Sequence, residues 1–86
     1  MNSKTAGKRT INSEITNVER NGLFFLTGDK EYFVSFSDYP VFKKATIEQI
    51  YDFREESKGL FHWPSLDADI ELEALEHPER FPVVFR

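Results

Sequence analysis

A chain of 86 residues, with 11 Lys and Arg against 15 Asp and Glu and a formal charge of −4, is long enough for one small acidic domain. The absence of Cys removes disulfides, thiolate metal sites and a thiol nucleophile. No apolar run approaches the roughly 18–20 residues of a membrane span, and no apolar block marks a secretory signal, so a soluble, cytoplasmic protein without membrane contact is expected.

Residues 1–13 are small, polar and aperiodic, and they read as a disordered basic tail carrying Lys4, Lys8 and Arg9. Residues 14–86 form the single α+β domain. Without those three cations the domain holds eight basic side chains against fifteen acidic ones, a balance of −7. Such a body repels a phosphate backbone, which disfavours nucleic-acid binding. A domain this small needs large side chains to build a core. Nine Phe, three Tyr and one Trp serve that need, each removing about 150–250 Å² from water.

Three β-prone runs follow, in EITNVERNGLFFLTGDKEYFVSF. Asn21-Gly22 predicts a type I′ hairpin, because both central positions of that turn take positive φ. Gly28-Asp29 marks the second turn. Leu23 to Leu26 is apolar on both alternating sets, which makes this run the central strand of an antiparallel meander. Helices must then cover the sheet.

Asp38 and Pro40 predict a short helical turn carrying Val41 and Phe42, with the acid as its cap. Thr46 to Gln49 fits a capping box, and Ile47, Ile50 and Tyr51 form an apolar stripe. With Gly59 as the stop signal, the second helix is expected from Ile47 to Ser57. Leu60 to Trp63 reads as a fourth strand ended by Pro64. Leu72, Ala74 and Leu75 suggest a last short helix before Pro78. The expected fold is α+β: a small antiparallel sheet of three to four strands packed with two to three short helices, in the order βββααβα.

Residues 36–75, FSDYPVFKKATIEQIYDFREESKGLFHWPSLDADIELEAL, carry a series of ordered marks. Tyr39, Pro40 and Ala45 fit "yPrL..A", and Thr46 and Gln49 fit "t.eq". Gly59, His62, Trp63, Pro64, Leu66, Asp67, Asp69, Ile70 and Leu75 fit "G.gIhWP.LDeDisv..LL". On these marks the chain resembles the bacterial domain of unknown function family 2442 over about residues 14–80. The resemblance implies an α+β fold and no established activity. Family members are often described as encoded beside another small domain, which has suggested toxin–antitoxin pairing. Glu71 departs from the family's usual Ser at the cap of the last helix. The 86 residues show no helix-turn-helix segment of the kind that some relatives carry, so a DNA-binding role is not carried over.

Two constellations bear on function. His62, Asp67 and Asp69 combine a group that titrates near neutrality with carboxylates that could orient it. Against a catalytic or metal role, no nucleophile turn accompanies them, and one His with D-x-D falls short of recognised ligand motifs. Read structurally, Trp63 fills the core, Pro64 ends a strand, and Asp67 and Asp69 shape a turn through local bonds to the backbone. The second constellation is six acids from Asp67 to Glu79 with no Lys or Arg before Arg80. It is either a solvated face or a docking surface for a basic protein. The candidate contact residues are His62, Trp63, Pro64, Asp67, Asp69, Glu73 and Glu76. We expect a non-enzymatic domain that needs no cofactor or metal and acts through a protein partner or as a homo-oligomer, with an antitoxin-like role as the sharpest form. The rival is a small enzyme or metal-binding domain using His62, Asp67 and Asp69. Nucleic-acid binding through Lys4, Lys8 and Arg9 ranks last.

Overall fold

Strand β1 (Ser13–Glu19) pairs antiparallel with β2 (Gly22–Thr27), which pairs antiparallel with β3 (Lys30–Ser35). The computed structural model describes residues 13–80, so the basic segment expected to be unstructured lies outside the described residues except for Ser13, the first residue of β1. As the two-faced apolar run requires, β2 is central. The first hairpin differs from expectation. Arg20 and Asn21 occupy its two turn positions, flanked by the Glu19–Gly22 pair, and neither has positive φ. Gly22 is selected for space instead, because a Cβ there would lie 2.4 Å from the end of the Phe33 ring and 2.5 Å from the Val34 carbonyl oxygen. In the second turn Gly28 does take positive φ, at 65°.

A 3₁₀ turn (Pro40–Phe42) follows with Pro at its start, but the position before it is Tyr39, and no side chain caps it. Asp38 is therefore not the cap; its backbone N–H bonds to the Ser35 carbonyl. The capping box forms as expected: Thr46 Oγ1 accepts from the Gln49 N–H at 3.1 Å, and Gln49 Oε1 accepts from the Thr46 N–H at 3.0 Å.

The helix it starts, α1 (Ile47–Tyr51), is far shorter than expected. Of the expected stripe only Ile50 is buried, while Ile47 and Tyr51 are 57% and 48% exposed. The indole Nε1–H of Trp63 donates to the Ile50 carbonyl at 2.7 Å. That bond occupies one of the carbonyls a helix end leaves open, so the core itself closes α1. Residues beyond it extend into β4 (Arg54–Ser57), which turns through Lys58 and Gly59 into β5 (Leu60–Trp63). Gly59, expected to stop a helix, is a hairpin residue with φ of 77°.

A second hairpin leads to β6 (Ala68–Glu71), then α2 (Leu72–Glu76) and a closing 3₁₀ turn (Pro78–Arg80). Among the described residues the order βββααβα thus becomes two three-stranded antiparallel sheets, β1-β2-β3 and β4-β5-β6, with two short α-helices. The class remains α+β, mostly sheet.

The inner faces of the sheets meet in an aromatic core. Phe25 lies 4.8 Å from Phe61 and 5.5 Å from Phe53, centroid to centroid, and Trp63 stacks on Phe53 at 5.0 Å and meets Phe42 edge-on at 5.1 Å. Ile15, Leu23, Val34, Phe36, Ile50 and Ile70 complete it, and no polar or charged residue is buried among the described residues. Offset and edge-on ring pairs add to the area they bury. None of the described helices is long and apolar enough to cross a membrane.

Candidate functional site

The HWP segment divides between core and surface because β5 alternates. Phe61 and Trp63 point inward with no exposure, while His62 points to the outer face. Its cross-strand neighbours are Arg54 on β4 and Asp69 on β6, forming one row across the sheet. His62 Nδ1 and Asp69 Oδ1 are 2.5 Å apart, a charge-assisted hydrogen bond when the ring is protonated. That bond holds the imidazole above its ordinary pKa, helped by nearby Glu56 and opposed by partial burial and by Arg54.

A raised histidine pKa favours the folded state while the ring is charged. The contribution is complete below the unfolded value near 6.5 and fades as pH rises through the higher folded value. Melting curves between about pH 5 and about pH 9, bracketing that value, should show the wild type losing its advantage over Asp69→Asn as pH rises. Parallel curves would contradict the bond.

Pro64 is exposed and opens a turn in which Asp67 takes φ of 51°. Asp is among the few residues that tolerate this conformation. Local bonds from Asp67 and Asp69 to the backbone were expected to shape this turn. Asp69 instead reaches His62, and the backbone closes the turn through Leu66 N–H to the Trp63 carbonyl and Asp67 N–H to that of Pro64. The three residues of the metal or catalytic reading therefore separate into a bonded pair on the sheet and an aspartate in the turn. Among the described residues no group of three or more His, Cys, Asp or Glu is arranged to hold a metal ion.

The acidic run forms a different feature. Leu72 N–H donates to the Gly59 carbonyl at 2.7 Å, which satisfies a first-turn donor of α2 that Glu71 does not cap. This bond sets α2 beside the β4–β5 hairpin, and a groove of about 540 Å³ opens between them. Leu60 and Leu72 supply apolar surface. Glu71, Glu73 and Glu76 carry three of the six acids to it, with Lys58 and His77 also lining it.

Glu76 has a structural duty as well. Its carboxylate accepts from the Tyr32 hydroxyl at 2.5 Å, tying α2 to β3. Burial and the Glu76 carboxylate push that phenol up to about 12, so it stays a donor at neutral pH. Tyr32, Arg54 and Glu56 were not among the sequence candidates. The alternation in FREES was a signal for a strand, but it lies inside the span assigned to a helix.

A family described as "Protein of unknown function (DUF2442)" matches residues 13–81. No curated protein and no solved structure matches. The matched span takes in both sheets, the HWP turn and α2, and the chain belongs to the DUF2442 family.

Proposed function

We propose that this domain works by binding another protein, a basic partner that docks in the groove between the β4–β5 hairpin and α2. The observation that supports it best is the pairing of apolar Leu60 and Leu72 with Glu71, Glu73 and Glu76 in one concave surface. An apolar patch supplies affinity on desolvation, and surrounding like charge selects partners of the opposite sign and speeds their approach. An antitoxin-like inhibitor in the cytoplasm, holding a basic protein inactive, is the sharpest form of this reading and agrees with the net acidity of the chain.

The His62–Asp69 hydrogen bond favours a second, catalytic reading, since an oriented imidazole is the usual general base. His62→Ala abolishing a measurable turnover would establish it.

The docking reading is tested by affinity capture from the host, with the wild type beside Glu71→Gln/Glu73→Gln. Glu76 is left intact because Tyr32 depends on it. The expected result is a basic protein that the wild type retains, that the variant retains at least tenfold less, and that is released as salt rises and the Debye length falls below about 8 Å. Equal capture by both chains, or a retained protein that is acidic, would sink it.

A further inference from the structure

Among the described residues four strands lie at sheet edges, and three of them are unsuited to further pairing. The β1 ladder is interrupted at Thr16 and the β4 ladder at Glu56, and β6 has only four residues before α2 begins. Bulges and short strands are the usual protections of an edge. In contrast, β3 runs six residues in unbroken register with β2.

The register shows which of its backbone groups are free. Phe36 N–H donates to the Asn21 carbonyl at 2.9 Å, so alternation makes Val34–Leu23 and Tyr32–Phe25 the bonded pairs. The N–H and C=O groups of Glu31, Phe33 and Ser35 therefore point to the open edge, where no described strand meets them; of these, the Ser35 carbonyl is taken by Asp38 and Tyr39. Of the two charged side chains on β3, Lys30 stands at its first position, and Glu31 is drawn away from the edge, because Thr16 Oγ1 donates to its carboxylate across the sheet at 2.5 Å. The Phe33 ring, which leans over Gly22 and sits 5.1 Å from Phe24, is still 46% exposed.

We propose that the β3 edge pairs antiparallel with β3 of a second copy about a twofold axis at Phe33, joining the two three-stranded sheets into one. Both faces stay continuous across such a junction only when residues of the same face oppose each other. Centring on Phe33 meets that condition and sets ring against ring, Glu31 opposite Ser35, and Tyr32 opposite Val34. Centring on Glu31 would oppose two carboxylates. The strand is thus self-complementary, as an isologous contact must be. The two Phe33 residues exchange both backbone bonds, and each Ser35 N–H meets a Glu31 carbonyl.

Sedimentation velocity of the full chain should give twice the 10.1 kDa mass, with Phe33→Lys sedimenting as a monomer. Amide exchange on the wild type keeps the test independent of whether that variant folds. The Phe33 amide should be protected in the dimer and should exchange at least tenfold faster on dilution, while those of Tyr32 and Val34, bonded to β2, should not change. A wild type that is monomeric up to millimolar concentration overturns the proposal, whether its Phe33 amide is exposed or protected. So does a dimer in which the Phe33 amide exchanges freely.

Discussion

Trp63→Ala is expected to lower the unfolding free energy by about 3–5 kcal/mol, the range for removing a core aromatic. Trp63 has no exposure, stacks on Phe53 and meets Phe42 edge-on, so truncation opens a cavity that these neighbours cannot fill. The variant also leaves the Ile50 carbonyl without its donor, and an orphaned buried acceptor costs about 1–3 kcal/mol by itself. Trp63→Phe separates these effects. It keeps most of the ring packing and removes the N–H, so its loss should fall near the lower figure, and the amides of α1 should exchange faster. Because Trp63 is the only tryptophan, denaturant melts must be followed by circular dichroism rather than by indole fluorescence. A loss below about 1 kcal/mol in Trp63→Ala would refute the packing account. For a domain whose total stability is of the order of 5–15 kcal/mol, the expected loss decides whether the fold persists.

The same tryptophan shows why the middle of the chain was hard to read. Locally, the segment from Ile47 to Ser57 favours a helix: a capping box opens it, Glu and Arg are good helix formers, and a glycine follows at position 59. What ends α1 after one turn is a donor thirteen residues away, on a strand whose position is set by the aromatic core. No pattern within the segment encodes that bond. Strand alternation was present in Phe53, Glu55 and Ser57 against Arg54 and Glu56, but five residues of alternation weigh little against helix propensity. Once the helix is cut short, Gly59 becomes a turn residue and the second sheet follows.

The first sheet was legible because its signals are local and agree with each other. An apolar central run, two flanking turns and an alternating third strand all give the same meander. The candidate site was legible in part. Sequence proximity grouped His62, Asp67 and Asp69, but strand geometry opposes only His62 and Asp69, since a turn stands between Trp63 and Ala68. The six acids from Asp67 to Glu79 were read together, as a solvated face or a docking surface, and the structure brings three of them, Glu71, Glu73 and Glu76, to one groove. Glu76 also holds Tyr32, forty-four residues earlier, a contact that only the packing of α2 against the first sheet creates.

Gly22→Ala is expected to cost about 1–3 kcal/mol, the range for forcing an extra methyl group into a filled space. The usual reason for a glycine after asparagine is positive φ, and on that reading alanine would strain the backbone of the turn. Here the backbone of Gly22 is ordinary, and the obstacle lies across the strand. A methyl group would strike both the Phe33 ring end and the Val34 carbonyl oxygen. The ring can swing aside, but the carbonyl is part of the β2–β3 ladder and cannot. The double variant Gly22→Ala/Phe33→Ala should therefore recover some of the loss and not all of it, giving a coupling energy of about 0.5–3 kcal/mol, the usual range for residues in contact. Full recovery would place the whole conflict on the ring, and no recovery would place it on the backbone alone. If Gly22→Ala were neutral in denaturant melts, the close approach of the two strands at this point would be wrong. Gly28 gives the contrasting case, with positive φ and open space around it, so alanine there strains the chain without touching a neighbour. The two glycines of one meander are thus required for different reasons, and only the one at position 28 was identifiable from turn chemistry.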